Sequence, residues 1–304
     1  MELFEFPFKA MGGPCQISVY ADTHAGALQI AQCAINEVSR LEKKYSRYLD
    51  DSITSRINRA AGTSSPVQVD QETATLLDYA NVCYQQSDGL FDISSGVLRK
   101  AWNFKQQCLP QQSSIDALLP LVGWHQVEWQ PPYISLPLKG MELDFGGYVK
   151  EYAADCAARA CQEQGAQYGY VDLGGDLAIF GPHPDQRPWQ IGIRHPRQPS
   201  QAIAYIDVAA GGLASSGDYE RCMVVDNKRY SHILNPRTGW PVETLASVSV
   251  MADLCLLAGT ATTITLLKGE QAGIAWLEEL GLPYFAVDQR MATYGTHGLR
   301  ENSG

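Results

Sequence analysis

The stretch YGYVDLGGDLAIF, residues 168–180, decides the fold class, together with WQIGIR at 189–194 and AIAYIDV at 202–208. Apolar and polar residues alternate within each, and β-branched and aromatic side chains dominate, so each reads as a strand. Residues 176–180 are expected to continue the strand that begins at 168. These strands follow one another with no helical pattern between them, as hairpins do and doubly wound sheets do not. Working outward, further strands are expected at 14–20, near 126–129 and 133–136, around 141–145, at 222–225, at 246–251 and at 284–287. Helices are expected at 25–45, where Leu28, Ala31, Ile35, Val38, Leu41 and Tyr45 share one face. Others are expected at 71–86, 149–163, 258–267 and 271–280, with a short turn through Ile57 capped by Asp51 or Ser52 and a polar connector at 105–115. Strands outnumber helices, and the class is α+β: antiparallel sheets with packed helices. The chain reads as one domain over residues 1–304, or as two closely packed lobes with a cleft between them.

Composition narrows the function. Lys and Arg number 23 against 33 Asp and Glu, a net charge of −10. That balance speaks against nucleic-acid binding, which needs clustered cations, and against a polybasic membrane surface. Hydrophobic residues at 45% are enough for a core, which excludes general disorder. The best apolar run, residues 248–267, is broken by Asp253 and four threonines and does not read as a membrane span. Glu2 and Glu5 precede any apolar block, unlike a secretory signal. The expected location is cytoplasmic, or periplasmic if a leader has been removed. The eight cysteines form no Cys-x-x-Cys pair, so a zinc site is unsupported, and small buried hydrophobes are the plainer reading.

Three segments hold residues suited to chemistry. In LDFGGYVK, residues 143–150, a glycine pair precedes a helix start, where backbone N–H groups can approach an anion and Lys150 adds charge. Taken singly, Gly146-Gly147 is no more than a tight turn. VDLGGD at 171–176 repeats the element about thirty residues later, and its plain reading is a strand with a bulge. Residues 215–239 carry Ser, Asp, Glu, Arg and His in one neighbourhood, with His232 the natural proton carrier and Asn235-Pro236 and Thr238-Gly239 as turns around it. Trp102 and Phe104 are aromatics more simply explained by core packing than by stacking on a ligand.

Taken together these segments resemble the ApbE family, the FAD:protein FMN transferases. AMG at 10–12 resembles the opening AMGT, with Gly13 where threonine is usual. YSRY at 45–48 and SRINRAAG at 55–62 resemble FSRF and SRLNRAAG, and GLFD at 89–92 with WNF at 102–104 resembles GxFDxT and WGF. LDFGGYVKEYAAD at 143–155 is similar to LDLGGIAKGYAVD, and VDLGGD to NVGGD. SGDYER at 216–221 and HILNPRTG at 232–239 resemble SGDYER and HILDPRTG. The resemblance implies a T-fold-like α+β core that binds FAD with a divalent cation, Mg²⁺, at the pyrophosphate. It implies transfer of FMN to a Thr or Ser of an acceptor protein, a subunit of a redox complex, with release of AMP. By motif position Met11, Tyr48, Leu90, Phe91, Asp92, Asp144, Lys150 and Ile233 would contact FAD, and His232 would be catalytic. The carbonyl at Gly147 and the hydroxyl of Thr263 would hold the metal.

AGTATTITLLKG, residues 258–269, departs from the family's ADALATALFVMG. Thr263 stands where the family has its metal-binding threonine, but Gly259 stands where it has the aspartate, and Mg²⁺ favours anionic oxygens. Asp253 is a doubtful substitute, and Asn235 replaces the aspartate of HILDP. A weakened metal site follows, and replacing Gly259 by Asp is expected to strengthen it. Two other functions stay open: an FAD-binding protein with little transferase activity, and a metal-dependent FAD pyrophosphatase. The expected quaternary state is a monomer or a homodimer.

Overall fold

Phe4, Phe6 and Phe8 alternate along β1 (Glu2–Ala10), which makes a two-residue hairpin with β2 (Gly13–Ala21). The sequence reading finds β2 and misses β1. Pro7 argues against a strand, but β1 is the edge of its sheet, where a missing N–H is tolerated. The structure is a computed structural model and describes residues 1–104, 106, 108–296 and 300–301. The expected connector at 105–115 therefore lies partly outside the described residues.

α1 (His24–Tyr45) is capped by Thr23, α2 (Ile53–Arg59) by Ser52 and α3 (Gln71–Gln86) by Asp70, each side-chain oxygen accepting a first-turn N–H. Short strands β3 (Val67–Gln68), β4 (Glu128–Gln130) and β5 (Tyr133–Ser135) form a small sheet, and α4 (Gln112–Asp116) lies in the segment between α3 and β4. The strand expected at 141–145 is absent. Instead the Asn58 amide takes both backbone groups of Leu143, at 2.9 and 2.7 Å, so no partner strand is needed. α5 (Val149–Glu163) follows.

β6 (Gly169–Leu173) and β7 (Asp176–Gly181) are two antiparallel strands joined at Gly174-Gly175, not one continued strand or a bulge. Then come β8 (Trp189–Arg194), β9 (Ala202–Val208), β10 (Gly211–Gly217), β11 (Cys222–Val225), β12 (Lys228–Ser231) and β13 (Leu245–Ala252). α6 (Cys255–Lys268), α7 (Glu270–Leu280), β14 (Tyr284–Asp288), β15 (Thr293–Gly295) and β16 (Arg300–Glu301) complete the described order.

The main sheet runs β1-β2-β6-β7-β10-β13-β14-β15 and is antiparallel throughout. Along β7, Ala178 faces the core shared with α1 and α5, while Leu177 and Ile179 pack on Trp189, Ile206 and Val208 of the β8–β9 sheet. The main sheet is thus covered by helices on one face and by a smaller sheet on the other. All eight cysteines are free thiols, five of them buried, as their apolar positions suggest. Among the described residues no helix is long and apolar enough to cross a membrane.

Candidate functional site

The site grows from the start of α5. The Asp144 carboxylate accepts the Gly146 N–H through Oδ1 (2.9 Å) and pairs with Arg47 through Oδ2. This Asx turn leaves Gly146 and Gly147 exposed. Phe145 and Tyr148 carbonyls take the Val149 and Tyr152 N–H groups, whereas those of Gly146 and Gly147 accept no hydrogen bond among the described residues. The Phe91 ring lies beside Gly147, 3.9 Å from where a Cβ would stand.

Lys150 is fixed by an ion pair with Asp176, a buried residue at the start of β7 whose Oδ1 also accepts the Ser215 N–H of β10 (3.1 Å). Burial opposes the ammonium charge, but the charges of Asp176 and Glu151 prevail and hold its pKa above the ordinary value. Sequence reasoning placed the carboxylates of the second Gly-Gly element, Asp176 among them, around a ligand, but did not foresee that Asp176 holds Lys150.

The other expected contacts come from several elements. Met11 sits in the β1–β2 turn with a left-handed φ of 53°, and its N–H donates to Glu42 Oε1 (2.7 Å). The Arg221 guanidinium reaches over the same turn, 3.5 Å from where a Gly12 Cβ would be. Tyr48 is 78% exposed, with Arg47 5.0 Å over its ring and donating to its hydroxyl at 2.8 Å, so a flat aromatic face is presented to solvent. Leu90 and Ile233 are half-buried. Asp92 borders a pocket of about 380 Å³ with Asp88, Gly89, Pro236 and Arg237. Its oxygens, however, are taken by Ser94 (2.8 and 2.6 Å) and the Trp124 N–H (2.9 Å), so it organises the loop. A second pocket of about 600 Å³ lies along Lys9–Pro14 and Glu42.

β11 and β12 form a hairpin whose open end pairs Arg221 with His232, the His232 N–H donating to the Arg221 carbonyl (2.9 Å). His232 is exposed to solvent. The protein around the ring, followed by the charges of Arg221 and Lys150, lowers the imidazole below its ordinary value. A neutral ring near pH 7 is one that can accept a proton. Asn235 preserves the turn behind it, because its Oδ1 accepts the Arg237 N–H (2.9 Å) as an aspartate would. Trp102 is buried, stacks on Phe104 at 5.6 Å and donates to the Gly239 carbonyl (2.8 Å), which is core packing as expected.

α6 supplies the remaining wall. Thr260, Thr262 and Thr265 each donate their hydroxyl to a carbonyl of the preceding turn, at 2.9, 2.8 and 2.8 Å. Thr263 is half-buried, and its hydroxyl makes no hydrogen bond among the described residues. Asp253 is exposed and precedes the helix, away from the Gly259–Thr263 turn, so it is no substitute for a carboxylate there.

The space beside Gly259 is filled by a residue that sequence reasoning passed over. A Cβ on Gly259 would stand 2.5 Å from Glu151 Cγ and 3.0 Å from Cδ. Glu151 is buried, and its Oε2 has no hydrogen-bond partner. Burial, and then the neighbouring Asp176 carboxylate, push its carboxyl well above the usual carboxylate range. The expectation that Asp at 259 strengthens the site needs correction: with Glu151 present, the new side chain has no room. The signal lay in the sequence, since KEYAAD carries Glu where AKGYAVD carries Gly. Among the described residues no three of His, Cys, Asp and Glu gather as a metal-holding cluster. A cation here would therefore rest on few protein oxygens plus those of a bound ligand. The orphaned Glu151 oxygen, the Gly147 carbonyl and the Thr263 hydroxyl fit that requirement.

Comparison with known proteins was made against this geometry. Residues 11–286 match the family model described as the ApbE family. The FAD:protein FMN transferase of Chlamydia pneumoniae is 30% identical over 260 residues, covering 83% of this chain and 79% of that protein. That of Treponema pallidum is 30% identical over 292 residues, covering 88% and 80%. The crystal structure of the ApbE protein of Thermotoga maritima superposes with a TM-score of 0.89 at 29% identity, covering 97% of each chain. The apo flavinyl transferase ApbE of Pseudomonas stutzeri gives 0.85 at 26%, covering 97% of this chain and 95% of the other.

Proposed function

The chain belongs to the ApbE family, and from that membership and the site we propose that it is an FAD:protein FMN transferase. The reaction attaches FMN through a phosphoester to a Thr or Ser hydroxyl of an acceptor protein and releases AMP. By the resemblance, the acceptor is a subunit of a flavin-bearing redox complex. One observation carries the reading: the Asp144 carboxylate shapes the exposed Gly146-Gly147 pair into the entry to α5, whose first turn carries Lys150 held in place by Asp176.

Displacement at phosphorus needs charge neutralised on the phosphates, an aligned hydroxyl and a proton acceptor. Free N–H groups and the dipole at the start of α5 favour phosphate oxygens. Lys150, held in place by Asp176, adds a fixed positive charge, and Arg221 another. His232 accepts the proton of the incoming hydroxyl. Tyr48 and the Met11 turn offer apolar and aromatic surface for the flavin ring. Mg²⁺, when bound, would neutralise pyrophosphate charge, with the Gly147 carbonyl and Thr263 hydroxyl among its ligands.

The test is incubation of the protein with FAD, Mg²⁺ and a Thr-containing acceptor peptide, with mass spectrometry of the peptide. An FMN adduct is expected from wild-type protein and not from His232→Ala. Adduct formation by His232→Ala at the wild-type rate would remove His232 from the mechanism.

A further inference from the structure

Among the described residues Glu151 Oε2 is the one buried carboxyl oxygen of this site without a hydrogen-bond partner, and the Asp176 carboxylate neighbours the same side chain. It projects from the first turn of α5 toward α6, into the space that Gly259 leaves by having no Cβ. Its nearest cation, Lys150, is 4.0 Å away and is already committed to Asp176. A buried carboxyl oxygen without a partner is costly, so a group that takes it up is called for. Thr263, whose hydroxyl is likewise without a partner among the described residues, lies four residues after Gly259 and so on the same helix face.

We infer that Glu151 is the carboxylate ligand of the divalent cation, delivered from α5 in place of an aspartate at position 259 of α6. The inference rests on the transferase reading for the ligand that shares the cation. Gly259 is then not a defect of the metal site but the vacancy that admits Glu151. The two departures from the family patterns, Gly to Glu at 151 and Asp to Gly at 259, are one reciprocal exchange. It moves a carboxylate from one helix to its neighbour and keeps it in the same place. The longer glutamate side chain spans the gap from α5 that a shorter aspartate spans from α6. With Glu151 the only protein carboxylate assigned to the cation, affinity depends strongly on the phosphate oxygens of FAD.

Mn²⁺ serves as the probe, titrated into the full-length protein with and without saturating FAD and followed by electron paramagnetic resonance. FAD binding is measured separately without metal by flavin fluorescence. In the wild type FAD should tighten Mn²⁺ binding. Glu151→Gln, nearly isosteric, should weaken Mn²⁺ binding by about tenfold or more while FAD affinity without metal stays within about threefold. Gly259→Asp alone should lower the melting temperature and bring no gain in Mn²⁺ affinity, because its Cβ meets Glu151 Cγ at 2.5 Å. The exchange variant Glu151→Gly/Gly259→Asp should recover Mn²⁺ affinity to within about threefold of wild type, a non-additive pair. Unchanged Mn²⁺ binding in FAD-bound Glu151→Gln would overturn the assignment, as would an exchange variant no better than Glu151→Gln. Wild-type protein that takes up no FAD would instead overturn the transferase reading.

Discussion

Asp155 lies one turn after Glu151 on α5 and caps the next helix. Its Oδ1 accepts the Cys255 N–H (2.8 Å) and its Oδ2 the Leu256 N–H (2.9 Å), the first two residues of α6. No side chain of α6's own N-cap residue, Leu254, does this work. Asp155→Ala therefore removes two charge-assisted bonds and a carboxylate from a helix N-terminus, and leaves two donors without their acceptor. Each bond to a charged group contributes about 1.5–3 kcal/mol. Desolvation of the carboxylate, which raises its pKa, offsets part of this, and about 2–3 kcal/mol for the pair is the working figure. For 304 residues the unfolding entropy is about 0.6 kcal/mol per kelvin, so the melting temperature should fall by about 3–5 °C. Asp155→Asn keeps one acceptor and should lose roughly half of that. Differential scanning calorimetry at pH 7 reads both. An alanine variant melting within about 1 °C of wild type would refute the reasoning.

Four further outcomes are expected. His232→Ala should cut FMN transfer by about a hundredfold or more with little change in FAD affinity, since a proton acceptor acts in the transition state. Because the His232 pKa is lowered, the ring is already neutral at pH 7, so the rate should stay level down through pH 6 and fall only in more acid solution as the base is protonated. A pH–rate profile with its inflection near the ordinary imidazole value of about 6.5 would contradict this. Asn235→Asp should leave the melting temperature and rate nearly unchanged, because either side chain accepts the Arg237 N–H. Calorimetric titration should show FAD bound more tightly than FMN, which lacks the pyrophosphate that the α5 entry and Lys150 attract.

Most helices and the β8–β9 hairpin were legible from periodicity and caps, and α3 and α5 run over the expected residues, 71–86 and 149–163. The failures have physical causes. β10 reads GGLASSG, without the β-branched or aromatic residues that mark a strand. It is central in the sheet, and a Cβ on Gly212 would stand 2.1 Å from the Cys255 nitrogen, so small residues are required by the helix pressed against it. β1 was hidden by Pro7, whose tolerance depends on an edge position that no local pattern reveals. The site was legible as motifs, while the partnerships that orient it were not: Arg47 with Asp144, and Lys150 with Asp176, join residues far apart in the chain. Glu151 was overlooked because its meaning depends on a glycine 108 positions later, and only packing brings α5 and α6 together.

The most direct test of the transferase reading is the ratio of AMP released to FMN-peptide formed in one reaction with FAD and a Thr-containing peptide. The transferase reading predicts one AMP for each adduct, with no adduct when FMN replaces FAD. AMP released without adduct, or no AMP at all, would contradict it.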